Sequence, residues 1–250
     1  MARQKGIIKL KGTIGDITFY KTSMDGYLAR EKGGVEASRI ANDPAFVRTR
    51  ENGAEFGNSA MAGKLLRDTV RALSMNTADC RVTSRLTRLL AKVKNLDKAS
   101  IRGERTVAAG IATVQGKLLL KGFNFNNRAP LGAVLHKSYE LTTATGEFTI
   151  PVLSTINDVS IPQGTTHVLF KVGFAVVDFN TGNSALTVSP PSRFPIAPEH
   201  EELYLIPGPV PSIAGTKFII LCIEFVQEIN GHDYALKNGA YNVMCILEVL

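Results

Sequence analysis

The chain has 250 residues, 44% of them hydrophobic and 20% charged, which excludes a disordered tail or linker and supplies enough apolar side chains for a real core. No apolar run reaches bilayer length: the longest, Phe218 to Val226, is broken by Glu224, so no membrane span is expected. The net charge of +7 is uneven, with 21 Lys and Arg against 11 Asp and Glu in residues 1–105, and 8 against 11 in residues 106–250. A basic region of that kind suggests an acidic partner: nucleic acid, a membrane surface or the acidic half of another copy.

In chain order, MARQKGIIKLKG has charge but no apolar signal core, so cytoplasmic synthesis without a signal peptide is the expectation. GIIKLKG and DITFYKT alternate at short range, and Met24-Asp25-Gly26 supplies an Asp-Gly turn before YLAREK returns. This predicts a β-hairpin or three-stranded meander, too small to be stable without a dock.

Helical signals follow. Asp43 is a good N-cap and Pro44 suits the first turn. Phe46, Val47, Ala54, Met61, Leu65, Leu66, Val70 and Leu73 make a broken apolar stripe. Gly53, Gly57 and Gly63 each cost about 1 kcal/mol in a helix interior, which predicts a break near Asn52-Gly53 or a close approach by another backbone. A second helix, capped by Asn76 and Asp79, carries Val82, Leu86, Leu89, Leu90, Val93 and Leu96 at helical spacing. Together they predict a helical hairpin over residues 43–98, followed by a hinge or short helix over 99–116.

From Lys117 onward the pattern changes to strands: KLLLKGFNF, LGAVLH, SYELTT, EFTIPV, HVLFKVGFAVVDF, SALTVS, LYLI, KFIILCIEFVQEI and YNVMCILEVL, separated by turn residues. The spacing predicts an antiparallel sandwich or barrel. Residues 218–226 and 241–250 are apolar on both alternating sets, hence buried on both faces, within the domain or by a neighbouring subunit. Ser189 to Pro211, rich in proline, reads as an extended surface loop that serves either as an interaction arm or as cover for a sheet edge. The fold class is therefore α+β: an N-terminal β-hairpin and helical hairpin (residues 1–105), then an antiparallel β-sandwich (residues 106–250).

Catalytic motifs do not assemble. GNSAMAGKL misses a phosphate-binding loop by one residue of spacing and by Leu65 in the metal-ligand place. His136, His167, His200 and His232 are dispersed; only His200, beside Glu199, Glu201 and Glu202, sits in an acidic cluster. Cys80, Cys222 and Cys245 lie among apolar residues and read as reduced, buried thiols. No enzyme activity, cofactor or metal is expected.

The strongest constellation is electrostatic. Arg81, Arg85, Arg88 and Lys92 follow one helical stripe, and Lys64, Arg67 and Arg71 share a face of the preceding helix. Three readings stand: a solvated face, contact with an acidic surface of another subunit, or phosphate binding. No aromatic interleaves with these arginines to stack on bases.

KGTIGDITFYKTSMDGYLAREKGG, NDPAFVRTRENGAEFG and AGKLLRD resemble an uncharacterised family of Bacteroidota proteins over residues 1–75. That resemblance implies an N-terminal module with a common job and a variable β-rich C-terminal half, and carries no activity. Arg48, Arg50, Glu51 and Glu55 exceed what ion pairs along an isolated helix explain, so this helix is expected to start at an interface with the N-terminal hairpin of its own chain or the next copy. The leading expectation is a non-enzymatic, self-associating subunit of a particle, tube or filament, phage-derived assemblies included. Its head-to-tail contact would pair the basic residues with Glu199, Glu201 and Glu202. The alternatives are binding of a nucleic-acid backbone through the basic helices, and a ligand- or glycan-binding β-sandwich.

Overall fold

The structure is a computed structural model that describes residues 2–22, 24–199 and 201–250. It is α+β with antiparallel sheets throughout. The chain divides into two compact units, the first ending at Arg50 and the second running Glu51–Leu250.

The first unit is a four-stranded sheet and a short helix. Strands β1 (Ala2–Arg3), β2 (Gly12–Ile14), β3 (Ile17–Thr22) and β4 (Gly26–Glu31) lie in the order β1-β4-β3-β2. The sheet thus exceeds the expected three strands by Ala2–Arg3, and GIIKLKG contributes only its last residue. Gln4 replaces the missing strand pairing there: its side chain donates to Leu28 O (3.0 Å) and accepts from Leu10 N (2.9 Å). Gly15, at φ 56°, turns the chain between the paired Ile14 and Ile17. Helix α1 (Ala37–Asn42) precedes Asp43, whose carboxylate accepts from Ala45 N at 2.9 Å, so the expected cap is present. Among the described residues of this unit, Leu28 is the one buried hydrophobic side chain.

The second unit has three layers. Helix α2 (Val47–Thr69), which begins in the first unit, runs 23 residues without the break expected near Gly53. Gly53 and Gly57 face open space, so no backbone approaches them; only Gly63 is close to another helix, next to Leu90 and Thr87. After α2 come α3 (Arg71–Ser74), α4 (Val82–Lys94), α5 (Val107–Ile111) and α6 (Val114–Leu120). KLLLKGFNF and LGAVLH, expected as strands, instead hold the end of α6 and the short α7 (Leu131–Val134). Thr113 caps α6 through Gly116 N, and Leu120 enters the helix-side core: capping and packing override β-type composition.

A three-stranded sheet, in the order β10-β6-β5, comprises β5 (Glu140–Thr142), β6 (Glu147–Leu153) and β10 (Glu201–Leu205), with α8 (Thr155–Asp158) after β6. The six-stranded sheet centres on β7 (His167–Val177) and β11 (Thr216–Ile229), paired from Thr216↔Val177 to Val226↔His167. Strands β8 (Ser184–Val188) and β9 (Ser192–Pro195) both pair with β7, while β12 (His232–Ala235) and β13 (Val243–Val249) both pair with β11. The proline-rich stretch is therefore not an arm; it contributes β9 and β10 to two sheets, its prolines at strand ends and between strands.

Strand alternation sorts the core. Ile219, Leu221, Ile223 and Phe225 face the three-stranded sheet with Val168, Phe170, Val172 and Phe174. Phe218, Ile220 and Cys222, with Met244 and Ile246, face the helices and meet Leu66, Leu73, Leu86 and Leu90. The doubly apolar strands are thus covered from within the chain. Gly173 leaves the room that Leu73 occupies on the sheet. The boundary expected at residue 105 does not separate these layers, because helices before it share a core with strands after it. Glu224, which breaks the apolar run, lies on the helix side and accepts from Lys171 (2.7 Å) and Asn76 (2.9 Å).

Candidate interaction surfaces

The polar string that opens α2 grips a loop of its own unit. Glu51 pairs with Arg102 at 3.3 Å, and Asn52 accepts from the same guanidinium. Glu55 is buried, ion-paired with Lys94, and accepts from Gly103 N at 2.8 Å; both contacts hold its carboxyl below the usual range, Lys94 foremost. Asn58 accepts from Val107 N. Asp97, only 2% exposed, accepts from the backbone of Ala99, Ser100 and Thr106, which lowers its pKa to about 2. Residues 97–107 are therefore a loop built on buried carboxylates. The sequence pointed to an interface with an N-terminal hairpin for Glu51 and Glu55; the fold instead brings Lys94, Arg102 and Gly103 to them.

The expected basic stripe divides. Arg85 is not available to a partner: its guanidinium donates to Asp79 (2.6 Å), Asn124 O (2.8 Å) and Phe125 O (2.9 Å), and it stacks over Phe123. Arg50 likewise donates to Ile40 O (2.8 Å) and Asp43 O (3.0 Å), closing the turn between α1 and α2. Arg67 is half-buried beside Gly63. Arg48, Lys64, Arg71, Arg81, Arg88 and Lys92 are exposed. Arg88 borders a groove of about 640 Å³ between α2 and α4, lined also by Phe56, Ala60, Cys80, Thr83 and Ala91. Phe56 stands 62% exposed in it, and Cys80 is exposed rather than buried as expected.

The three-stranded sheet offers a surface of opposite sign. Its strands carry Glu140, Glu147, Glu201 and Glu202 and no lysine or arginine. Leu203 and Leu205 point to the core while Tyr204 (50% exposed) and Ile206 lie open, with Tyr204 paired across to Thr149, and Thr149 to Glu140. Glu199, Glu201 and Glu202 are exposed as expected; His200 lies outside the described residues. Tyr204 and Ile206 were legible as the odd set in ELYLI, whose alternation leaves two large apolar side chains outward.

His167, Glu228 and Asp233 gather on the six-stranded sheet close enough to share an ion. Arg193 already sits among them, touching Glu228 and donating to Asp233 at 3.1 and 3.3 Å. Those carboxylates raise its pKa, Asp233 first, and a guanidinium there satisfies the charge a cation would. The two buried thiols sit on adjacent strands but opposite sheet faces, Cys222 toward the helices and Cys245 toward the three-stranded sheet. Burial raises both, Cys245 to about 12, so they pack rather than react.

The first unit presents an open apolar face. Register places Ile14, Ile17, Phe19, Tyr27 and Ala29 on one side of its sheet. Ile14 is 62% and Ile17 47% exposed, and the ammonium groups of Lys9 and Lys21 lie over the Tyr27 ring. A groove of about 670 Å³ runs along this face past Ala2, Ile17 and Ala29.

Comparison with protein-family models, curated proteins and solved structures finds no match to this chain. Among the described residues, no helix is long and apolar enough to cross a membrane.

Proposed function

We propose that the chain is a non-enzymatic, self-associating structural subunit of a particle, tube or filament. The observation that carries this is the first unit: 50 residues organised around a four-stranded sheet with, among the described residues, one buried hydrophobic side chain and an apolar face left open. Units of that size need a core, a staple or a partner, and this one gains most by burying its face on protein. The doubly apolar strands give no support, since the helices cover them. Size-exclusion chromatography with light scattering tests the reading. A mass that is a discrete multiple of 27.0 kDa, or grows with concentration, supports it; a 27.0 kDa species at every concentration overturns it.

A second reading has its own observation. Arg88 is exposed at a groove that also presents the hydroxyls of Thr83 and Ser84, and Lys92 is exposed one turn further along α4, a set suited to phosphate oxygens. Backbone binding of nucleic acid through these groups would weaken steeply with salt. The 260/280 absorbance ratio across the same chromatographic peak distinguishes the two, because the chain has no tryptophan and six tyrosines and absorbs weakly.

A further inference from the structure

We infer that the open face of the N-terminal sheet in one copy docks on the outward face of the three-stranded sheet in the next, an inference that rests on the self-association reading. The two faces match in chemistry. The donor face has an aliphatic and aromatic centre, Ile14, Ile17, Phe19 and Tyr27, with Lys9 and Lys21 lying against the tyrosine and Glu31 as the one acidic residue of its strands on that side, opposite Ile17. Residues 1–50 hold 10 Lys and Arg against 5 Asp and Glu. The acceptor has exposed Val152, Tyr204 and Ile206, set among the glutamates of β5, β6 and β10 without a cation on those strands.

Opposite charge at the rim sets orientation and speeds encounter, and the apolar centres supply the area worth burying. The grooves between α2 and α4 are poorer acceptors for this donor, since Arg88 borders one and Lys92 the other, and both would face the donor's own lysines. Nucleic acid suits the donor face less well, because its lysines flank an apolar centre that a phosphate backbone would leave uncovered.

Donor and acceptor are different surfaces of one chain, so the contact is heterologous. Each copy then keeps one free end, and growth continues until a ring closes or a filament forms.

The test uses full-length chains blocked at one end. Ile14→Asp with Ile17→Asp blocks the donor, and Glu140→Lys with Glu202→Lys blocks the acceptor. All four positions are on strands and solvent-facing, and circular dichroism of each variant verifies that the fold persists. Each variant alone is expected at 27.0 kDa, needing at least about tenfold more protein than the parent chain to associate. An equimolar mixture is expected to give a species of twice that mass and nothing larger, since it joins one intact donor to one intact acceptor. Adding Lys21→Glu to the acceptor-blocked chain restores growth if the rim charges meet as inferred.

A parent chain that stays monomeric removes the self-association reading and this inference together. A parent chain that assembles while the acceptor-blocked variant assembles equally well leaves that reading intact and overturns the assigned surface. A mixture that yields no dimer overturns the head-to-tail geometry. Should the donor substitutions unfold the small sheet, Lys9→Glu with Lys21→Glu blocks the same face without touching its apolar centre, and the mixture is read in the same way.

Discussion

The two units of this chain use the same β-strand chemistry to opposite effect. In the second, β7 and β11 bury both alternating sets of side chains, one against the three-stranded sheet and one against the helices. In the first, β3 and β4 pair just as regularly, yet among the described residues only Leu28 is buried. Hydrogen-bonded register alone does not make a core; a second layer does. The larger unit supplies that layer from its own helices, and the smaller leaves Ile14 and Ile17 of its apolar face exposed.

This contrast is open to attack by substitution, the largest expected effect first. Glu55→Ala strands the buried Lys94 ammonium and the Gly103 amide, and is expected to cost about 3–5 kcal/mol, read from the midpoint of urea unfolding. Leu221→Ala, on the central strand, should cost about 3 kcal/mol, whereas Ile17→Ala in the small sheet should stay within about 0.5 kcal/mol. Equal losses for the two would mean that both units unfold as one and that the small sheet shares in the global stability.

Acid sharpens the same comparison. Asp97 has its pKa lowered from 3.8 to about 2 by backbone N–H groups of the second unit. Its contribution, about 2 kcal/mol, is therefore complete well above pH 3.8 and is lost as pH falls toward 2. Asp97→Asn should flatten the stability profile of the larger unit across that window, measured by urea unfolding at stepped pH.

The smallest effect separates two neighbours on α4. Arg85→Gln should cost about 1–3 kcal/mol by releasing Asn124 O and Phe125 O, while Arg88→Gln should change stability by less than about 0.5 kcal/mol. If Arg88→Gln destabilised as strongly, its exposed side chain would have to be structural rather than free for a partner.

The sequence legible by itself reached the local and periodic features. Asp43-Pro44 started a helix, Val82 to Val93 formed an amphipathic one, and HVLFKVGFAVV and KFIILCIEFVQEI formed strands, because capping and side-chain period act within a few residues. The α+β class followed from those elements. What the tertiary structure decided was which surface each side chain meets. It took Arg85 and Arg50 out of the basic stripe, seated Glu55 on Lys94 thirty-nine positions away, and turned KLLLKGFNF from a strand into the end of a helix. It also laid helices across strands whose apolar residues allowed a neighbouring subunit equally well. Periodicity says that a face will be buried. The cover is chosen by long-range packing, where loop closure and shape complementarity select one partner among many apolar surfaces.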